Sequence, residues 1–439
     1  MIRTQFKLRN KSNYKNAKKI RKFDKLETYS GNVDFKDSGF KTISLKEING
    51  NVNFEGSEVQ DLGNLEKIGG DADFRDSNIQ DFGKLKEIGG NAFFENSKIT
   101  SLGNLKEIGL SANFSYSNIQ DLGNLERIGG WADFSNSDVQ DIGKLKEIGG
   151  DAYFNNSKIT SLGNLKEIGL SADFRDSNIQ GLGNLEKIGK YADFRNSDVQ
   201  DLGKLKQIGG YADFTGSKIT SLGELEKIGM NATFSQSKIT NLGELEYIGG
   251  WADFAGSKIT SLGNLEYIGD SLILHDSDIQ DIGKLKEIGG SADFTRSKIT
   301  SLGKLEKIGG DASFRNSEVQ DLGKLKQIGG YADFTGSKIT SLGKLERIDG
   351  HAIFSGSKIE SFGNLRYIKG EVHFGNSEHG LALKEMFNQL FKYNKITSAY
   401  EHRSLMKDQI SKIEKSFAQA ITSAQNTAHK IINNQKEKI

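Results

Sequence analysis

Asp173, Asp193 and Asp213 stand twenty residues apart, and aspartate recurs in the same place at Asp73, Asp133, Asp253, Asp293 and Asp333. On neighbouring parallel strands such carboxylates would lie about 5 Å apart. Retaining glycosidases hold their two carboxyls at about that distance, so a glycan-active enzyme is one reading of the row. Two features weigh against it. Catalysis needs a single asymmetric pair, whereas this aspartate recurs in copy after copy. Arg175 and Arg195 also follow two residues later and would neutralise the row. The expectation is therefore a protein that is not an enzyme. Two residues before five of these aspartates stand Trp131, Tyr191, Tyr211, Trp251 and Tyr331. Aromatic rings on an exposed strand serve as anchors for a protein or sugar partner. They also stabilise a sheet simply by stacking along it. Binding is the preferred reading, with Trp131, Tyr191, Tyr211, Trp251, Tyr331, Asp133, Asp193, Asp213, Asp253 and Asp333 as the partner-binding set.

Other chemistry finds little support. Cysteine is absent, so there are no disulfides and no thiolate metal sites. His351, His373 and His379 fall near one another in the chain without zinc-ligand spacing, and solvated or capping roles suit them better. The stretch GGDADF, residues 69–74, partly matches a nonapeptide calcium repeat but lacks its third glycine. There is no P-loop, dinucleotide fingerprint or nucleophile elbow. No cofactor and no metal are expected.

The elements that position these residues follow from a twenty-residue unit, repeated sixteen times without insertion or deletion over residues 51–370. Counting from Asn51, position two is small or aliphatic, and position four is Phe in every copy but one, which has Leu274. Position seven is always Ser, from Ser57 to Ser357. Position nine is Val or Ile, position twelve Leu, Ile or Phe, position fifteen Leu and position eighteen Ile. Position thirteen is always Gly, and most copies end Gly-Gly. Apolar positions two and four alternate with polar one, three and five, which predicts a short strand. Such a strand buries a face only by stacking on the same strand of the next coil. Positions twelve, fifteen and eighteen recur every three residues, which predicts a tight helical or 3₁₀ segment on the opposite wall, capped by Ser or Asp at position eleven. The serine column is expected to be structural, with its hydroxyls bonded to backbone groups.

The spacing A-x-F-x-x-S-x-I-x-x-L-x-x-L-x-x-I resembles the leucine-rich repeat, L-x-L-x-x-N-x-L-x-x-L, over the whole array. The recurring Leu-x-x-Ile-Gly-Gly is similar to the short coils of receptor L-domains. Near-identical short repeats of this kind also resemble bacterial or phage solenoid proteins. The resemblance implies a solenoid of parallel strands, either a leucine-rich-repeat horseshoe or a straighter right-handed β-helix. Ser in place of the family's Asn, Ala and Phe in place of its strand leucines, and the missing proline bear on curvature rather than on the solenoid. Residues 199–223 match 319–343 without a difference. Such repetition suits a spacer or a recognition surface better than a unique active site.

Four regions result: a basic lead-in over residues 1–22, the solenoid over 23–376, a capping helix over 377–395, and an amphipathic C-terminal helix over 396–439. The last carries a hydrophobic seam from Met406 to Ile431 that would give weak self-association or dock on the array. With 59 basic and 58 acidic residues the net charge is +1, so nucleic acid is not an expected partner. No apolar run is long enough to span a bilayer. The start of the chain lacks the apolar core of a signal peptide. Cytoplasmic residence is the expectation, with a surface location by another route left open. The function expected is a non-enzymatic scaffold that binds a protein or surface partner through its strand face. The alternatives are a structural spacer or fibre element and, behind it, the glycan-active enzyme.

Overall fold

The computed structural model describes residues 14–20, 22–392 and 397–398. They form a parallel β-solenoid of about 18 turns with a period of about 20 residues and a single C-terminal helix. The chain divides into two compact units, one comprising Met1–Asp293 with Ser297–Ile299, the other Phe294–Arg296 with Thr300–Ile439.

In the first unit each coil contributes two strands of two residues. Positions two and three form one wall, as in Ala192–Asp193 and Ala212–Asp213, which pair in parallel with Ala on Ala and Asp on Asp. The Ala192 N–H donates to the Tyr211 carbonyl at 2.9 Å and the Phe194 N–H to that of Asp213 at 2.8 Å. Positions seventeen and eighteen form a second wall, as in Lys187–Ile188 on Gln207–Ile208. A single-residue bridge at position eleven, Asp201 on Ser221, links coils at a third place.

The second wall corrects the sequence expectation. No helical segment forms at positions twelve to eighteen in the described coils. The glycine at position thirteen is the cause. Its φ lies between +48° and +61° in every copy, a left-handed conformation that ends a helix and turns the chain. The cap expected at position eleven does form, but it closes this turn rather than a helix: Asp201 Oδ1 accepts from the Gly203 N–H at 2.9 Å and Ser221 Oγ from the Gly223 N–H at 3.2 Å. The Gly at position nineteen permits the coils to approach. A Cβ on Gly209 would lie 2.1 Å from the Gly189 carbonyl oxygen.

Apolar side chains at positions two, four, nine, twelve, fifteen and eighteen are buried in coil after coil. The phenylalanines stack in one column from Phe35 to Phe254, with Phe194–Phe214 at 5.1 Å and 4° and Phe214–Phe234 at 5.2 Å and 9°. Leu274 is buried in the next place. At about 1.5–3 kcal/mol for each large side chain buried, this column and its aliphatic neighbours drive the fold. The serines at position seven are buried as well, but their hydroxyls do not act as expected. Ser137 Oγ donates to the Phe134 carbonyl at 2.7 Å, while Ser57, Ser217 and thirteen others leave the hydroxyl unbonded. The backbone closes the turn instead, with the Ser217 N–H on the Phe214 carbonyl at 3.0 Å.

At its beginning the solenoid reaches further than the sequence suggested. Lys15–Asn16 already pairs with Val33–Asp34, so strand pairing begins before Phe23. Phe23 covers the first coil, its ring edge-on to Phe35 at 5.6 Å and Phe40 at 5.3 Å. Val33 pairs with Val52, which makes the coil before Asn51 one residue short. Residues 1–13 of the basic lead-in lie outside the described residues.

The second unit repeats the same coil. Its phenylalanine column runs from Phe294 through Phe314, Phe334 and Phe354 to Phe374. Helix α1 (Glu378–Lys392) then covers the last coil. Leu383 and Phe387 are buried, and the Phe387 ring lies 5.5 Å from Phe374 and 5.6 Å from Phe362. Met386, expected on the same face, is exposed. Thr397–Ser398 returns to pair with Tyr367–Ile368. The amphipathic helix expected over 396–439, with its seam from Met406 to Ile431, otherwise lies outside the described residues.

Candidate functional site

The strand wall carries the aspartate row at position three, and the structure assigns each carboxylate a local task. Oδ1 accepts the backbone N–H two residues on and so closes the corner where strand becomes turn. The distances are 2.9 Å for Asp133, 3.1 Å for Asp193, 3.0 Å for Asp213, 2.9 Å for Asp253 and 2.9 Å for Asp333. This position is not the exposed one that alternation predicts. Asp193, Asp213 and Asp333 are buried, while Asp133 and Asp253 are half-buried. Neighbours at positions one and five reach the carboxylate in several coils, as the Tyr211 hydroxyl does at Asp213 and the Arg195 guanidinium at Asp193.

Arginine at position five completes the enclosure. Arg195 grips Asp193 with two nitrogens, Nε on Oδ1 at 2.9 Å and Nη2 on Oδ2 at 2.6 Å, and Arg175 grips Asp173 in the same way at 2.9 and 2.5 Å. Each arginine also reaches the next carboxylate, Arg175 to Asp193 at 3.3 Å and Arg195 to Asp213 at 3.5 Å. Burial pushes the Asp193 carboxyl up, but the Arg195 guanidinium, the Arg195 N–H and the Tyr191 hydroxyl outweigh it and hold the group below the usual aspartate range. The arginines are raised in turn, chiefly by these hydrogen bonds. The row is a chain of alternating charges with its lone pairs occupied. A glycosidase pair needs one carboxyl free to act as base or nucleophile, whereas at Asp173 and Asp193 both oxygens are bonded to arginine.

The aromatic residues at position one are all half-buried. Tyr191 and Tyr211 stack at 5.2 Å and 11°, and Trp251 leans across the coil of Asn231 to bring its ring within 6.1 Å of Tyr211. These three make one cluster. Trp131 stands three coils before Tyr191, and Tyr331 belongs to the second unit. Tyr191 and Tyr211 stack along the solenoid axis, so each presents one face to the other, and their hydroxyls turn back to the aspartate row. The Tyr211 hydroxyl donates to Asp213 Oδ2 at 3.1 Å and lies 3.0 Å from Thr233 Oγ1. Burial raises both hydroxyls; the Asp193 carboxylate adds to it at Tyr191, and at Tyr211 the Thr233 bond partly opposes it. Rings stacked on one another suit a protein surface better than a sugar, whose apolar face needs an open ring face.

Sequence reasoning missed the charge pattern on the other walls. Along residues 51–190, positions eight, sixteen and seventeen bring unlike charges together at many junctions, as in Glu66–Lys86 at 2.7 Å, Lys67–Glu87 at 2.9 Å and Asp138–Lys158 at 2.7 Å, while Lys86 and Lys146 also stand beside Lys106 and Lys166. Between residues 211 and 270 the pattern lapses. Lys218, Lys238 and Lys258 follow one another at position eight, and Glu226, Glu246 and Glu266 at position sixteen, with the outer members paired beyond the column, Lys218 to Asp198 at 2.7 Å, Lys258 to Asp278 at 3.6 Å and Glu266 to Lys286 at 2.7 Å. Beside the glutamates Tyr247 and Tyr267 stack at 5.1 Å with Lys227 over the Tyr247 ring. The signal is in the sequence, but only the in-register pairing of equal positions makes it readable. A second missed feature is Gly181, the one glycine at position eleven. Without a side chain there, the Gly183 N–H has no cap, and an open groove lined by Thr160, Ser161, Gln180 and Asp201 takes its place.

No cluster of three or more metal-ligating side chains occurs among the described residues. His351 Nδ1 accepts from the Glu371 N–H at 3.0 Å, His373 Nε2 lies 3.2 Å from the Glu371 carboxylate, and His379 is exposed on α1. Asp73, within the calcium-like stretch, is fully buried and held by Arg75 Nε at 2.8 Å and Nη2 at 2.6 Å. Among the described residues no helix is long and apolar enough to cross a membrane. No protein-family model, no curated protein and no solved structure matches this chain.

Proposed function

We propose that the chain is a non-enzymatic interaction scaffold, and that a protein partner docks on coils 191–270. The observation that carries this reading is the coincidence of two departures from the repeat in those coils. The Tyr191–Tyr211–Trp251 cluster stands half-buried on one wall, and on the others like-signed columns run through Lys238 and Glu246, whose neighbours in both directions carry the same charge. Aromatic clusters beside charged rims are the usual composition of protein-binding hot spots. The bidentate arginine contacts that occupy Asp173 and Asp193 support a non-enzymatic role. The spacing likeness to leucine-rich repeats, and to bacterial or phage solenoids, points the same way, since such arrays generally act by binding along one face.

A structural spacer is the second reading, favoured by the near-identity of distant coils such as 199–223 and 319–343. The two are separated by cross-linked pulldown from the source cell with three baits: the wild type, Tyr211→Ala/Trp251→Ala, and Trp131→Ala. A scaffold captures a defined partner that the double variant loses and the single variant keeps. Identical captures from all three baits would overturn the placement on coils 191–270, and no specific capture at all would favour the spacer.

A further inference from the structure

We infer that a second copy of this chain seats on the corner between the two strand walls, antiparallel to the first, about a two-fold axis that passes between Leu170 and Tyr191. Positions twenty and one are consecutive and share that corner. Glycine is the easy residue at position twenty, where a Cβ on Gly210 would lie 2.9 Å from the Lys190 carbonyl carbon. Leu110 and Met230 stand there nonetheless, 51% and 57% exposed, and Leu170 is half-buried at a level between them. Trp131, Tyr191, Tyr211 and Trp251 add half-buried rings at position one. In-register stacking gathers these side chains into one ridge within the first unit. From the level of Leu110 to that of Trp251 is seven coils of twenty residues, about 34 Å at about 4.8 Å each. An apolar ridge of that extent marks an interaction surface.

The ridge is complementary to itself in this register. Turned end for end about the axis, position twenty meets position twenty and position one meets position one, each contact occurring twice. Leu110 then falls opposite Gly250 of the second copy, and Met230 opposite Gly130. Trp251 falls opposite Ser111, Trp131 opposite Asn231, Tyr191 opposite Ser171 and Tyr211 opposite Asp151. Large side chains enter the places that small ones leave, and at the axis the Lys190 stem covers Leu170. A slip of one coil destroys the match. In one direction Leu110 meets Met230 and Leu170 meets itself; in the other Trp131 meets Trp251 and Lys190 meets itself. Position seventeen flanks the ridge, since Arg127 Nη1 lies 3.5 Å from the place of a Cβ on Gly129. Beside the axis its charges agree: the Glu167–Lys187 pair, 2.8 Å apart within one chain, meets the same pair reversed. Further out Arg127 falls opposite Lys227, and a strip one ridge wide is at the low end of specific interfaces, so the dimer is reversible. It covers Trp131 as well as the Tyr191–Tyr211–Trp251 cluster, so it competes with a foreign partner and stands or falls apart from it.

The test uses the full chain. Sedimentation from micromolar to hundreds of micromolar should show a monomer–dimer equilibrium. Leu110→Asp and Met230→Asp should each weaken it about tenfold or more, since each removes two buried apolar contacts, and should leave melting unchanged, since Asp270 already holds position twenty in another coil. The chain has no cysteine, so single cysteines joined by a short bismaleimide read the register. Leu170→Cys should cross-link to its own copy, because the two thiols lie one coil apart along the axis, about 5 Å. Met230→Cys should not, because its mate lies five coils away, about 24 Å. Trp131→Ala should weaken the dimer while it keeps a foreign partner, whereas Tyr211→Ala/Trp251→Ala should lose both. A chain that stays monomeric throughout overturns the inference. So does a dimer indifferent to Met230→Asp, which must form elsewhere, and so does equal cross-linking at the two cysteines, which would mean parallel copies. None of these results decides whether a foreign partner is captured, which the pulldown reads by itself.

Discussion

Coils 111–170 and coils 211–270 share one interior and differ only in how their outer residues are used. Phe114, Phe134 and Phe154 stack as Phe214, Phe234 and Phe254 do, at 4.9 and 5.5 Å in the first set and 5.2 and 4.6 Å in the second. On the outside, the first set pairs Glu126 with Lys146 and Asp138 with Lys158, so its charges are spent within the chain. In the second, Lys238 stands between Lys218 and Lys258 and Glu246 between Glu226 and Glu266, and it is the outer members of those columns that bond neighbouring coils, Lys218 to Asp198, Lys258 to Asp278 and Glu266 to Lys286. A repeat protein that satisfies its surface internally has little to offer a partner. One that leaves charge and aromatic rings unspent in a few coils has a place to be recognised. The difference teaches that in this fold function is to be sought where the repeat stops compensating itself.

The largest effect is expected at the join between surface and fold. Asp193→Ala removes the corner-closing acceptor, both Arg195 contacts and the Tyr191 partner at once. A loss of about 1.5–3 kcal/mol follows, the usual range for hydrogen bonds to a charged group, read by denaturant melting or by local amide exchange. Because Asp193 titrates below its ordinary value in the folded chain, its contribution is present above about pH 4, the usual carboxyl value. It is lost as the pH falls through the depressed folded value. The gap between wild type and variant should therefore close in acid. A gap that widened there would show that the carboxylate is not held by its arginine.

Much of this fold was legible in the sequence because equal spacing forces equal burial. The Phe, Ile and Leu columns and the strand at positions two and three follow from alternation and period alone. The second wall was not. A residue in three being apolar fits a 3₁₀ segment as well as a turn leading into a strand, and only the invariant Gly63, Gly83 and their successors at positive φ decide for the turn. The candidate site was half legible. Tyr191, Tyr211 and Trp251 stand out as types, and Arg195 two residues after Asp193 hinted at the pair. That Asp193 is buried, and that Trp251 bridges a coil to reach Tyr211, depends on side-chain directions that no single repeat displays. The charge columns need the register first, since Lys238 and Lys258 are unremarkable until they are known to be neighbours.

A smaller effect sharpens the comparison within the compensated half. Gly181 leaves the Gly183 N–H uncapped in the first unit, whereas Asp201 caps Gly203 at 2.9 Å. The site has room for a side chain, since a Cβ there would meet nothing nearer than the Asp201 carbonyl oxygen at 3.9 Å. Gly181→Asp should restore the cap and stabilise the coil by about 0.5–1 kcal/mol, the usual range for such caps. Slower exchange of the Gly183 amide is the readout, and an unchanged rate would mean that the turn needs no cap.

The smallest effect is also the most direct test of the contrast, because its sign should differ between the two sets of coils. Lys158 and Lys238 occupy the same position, are both exposed, and carry the same side chain. Lys158 bonds Asp138, so Lys158→Glu exchanges an attraction for a repulsion. Lys238 has lysines on both sides, so Lys238→Glu exchanges two repulsions for two attractions. Exposed pairs contribute little and are screened by salt, so both changes should be slight and should fade at high salt. At low salt Lys158→Glu should lower the melting temperature and Lys238→Glu should raise it. If a partner reads the lysine column, Lys238→Glu should also weaken its capture while the fold becomes firmer, a combination that loss of structure does not produce. Shifts of the same sign would show that the charge columns of coils 211–270 are not left uncompensated, and the assignment of the recognition surface would move elsewhere on the solenoid.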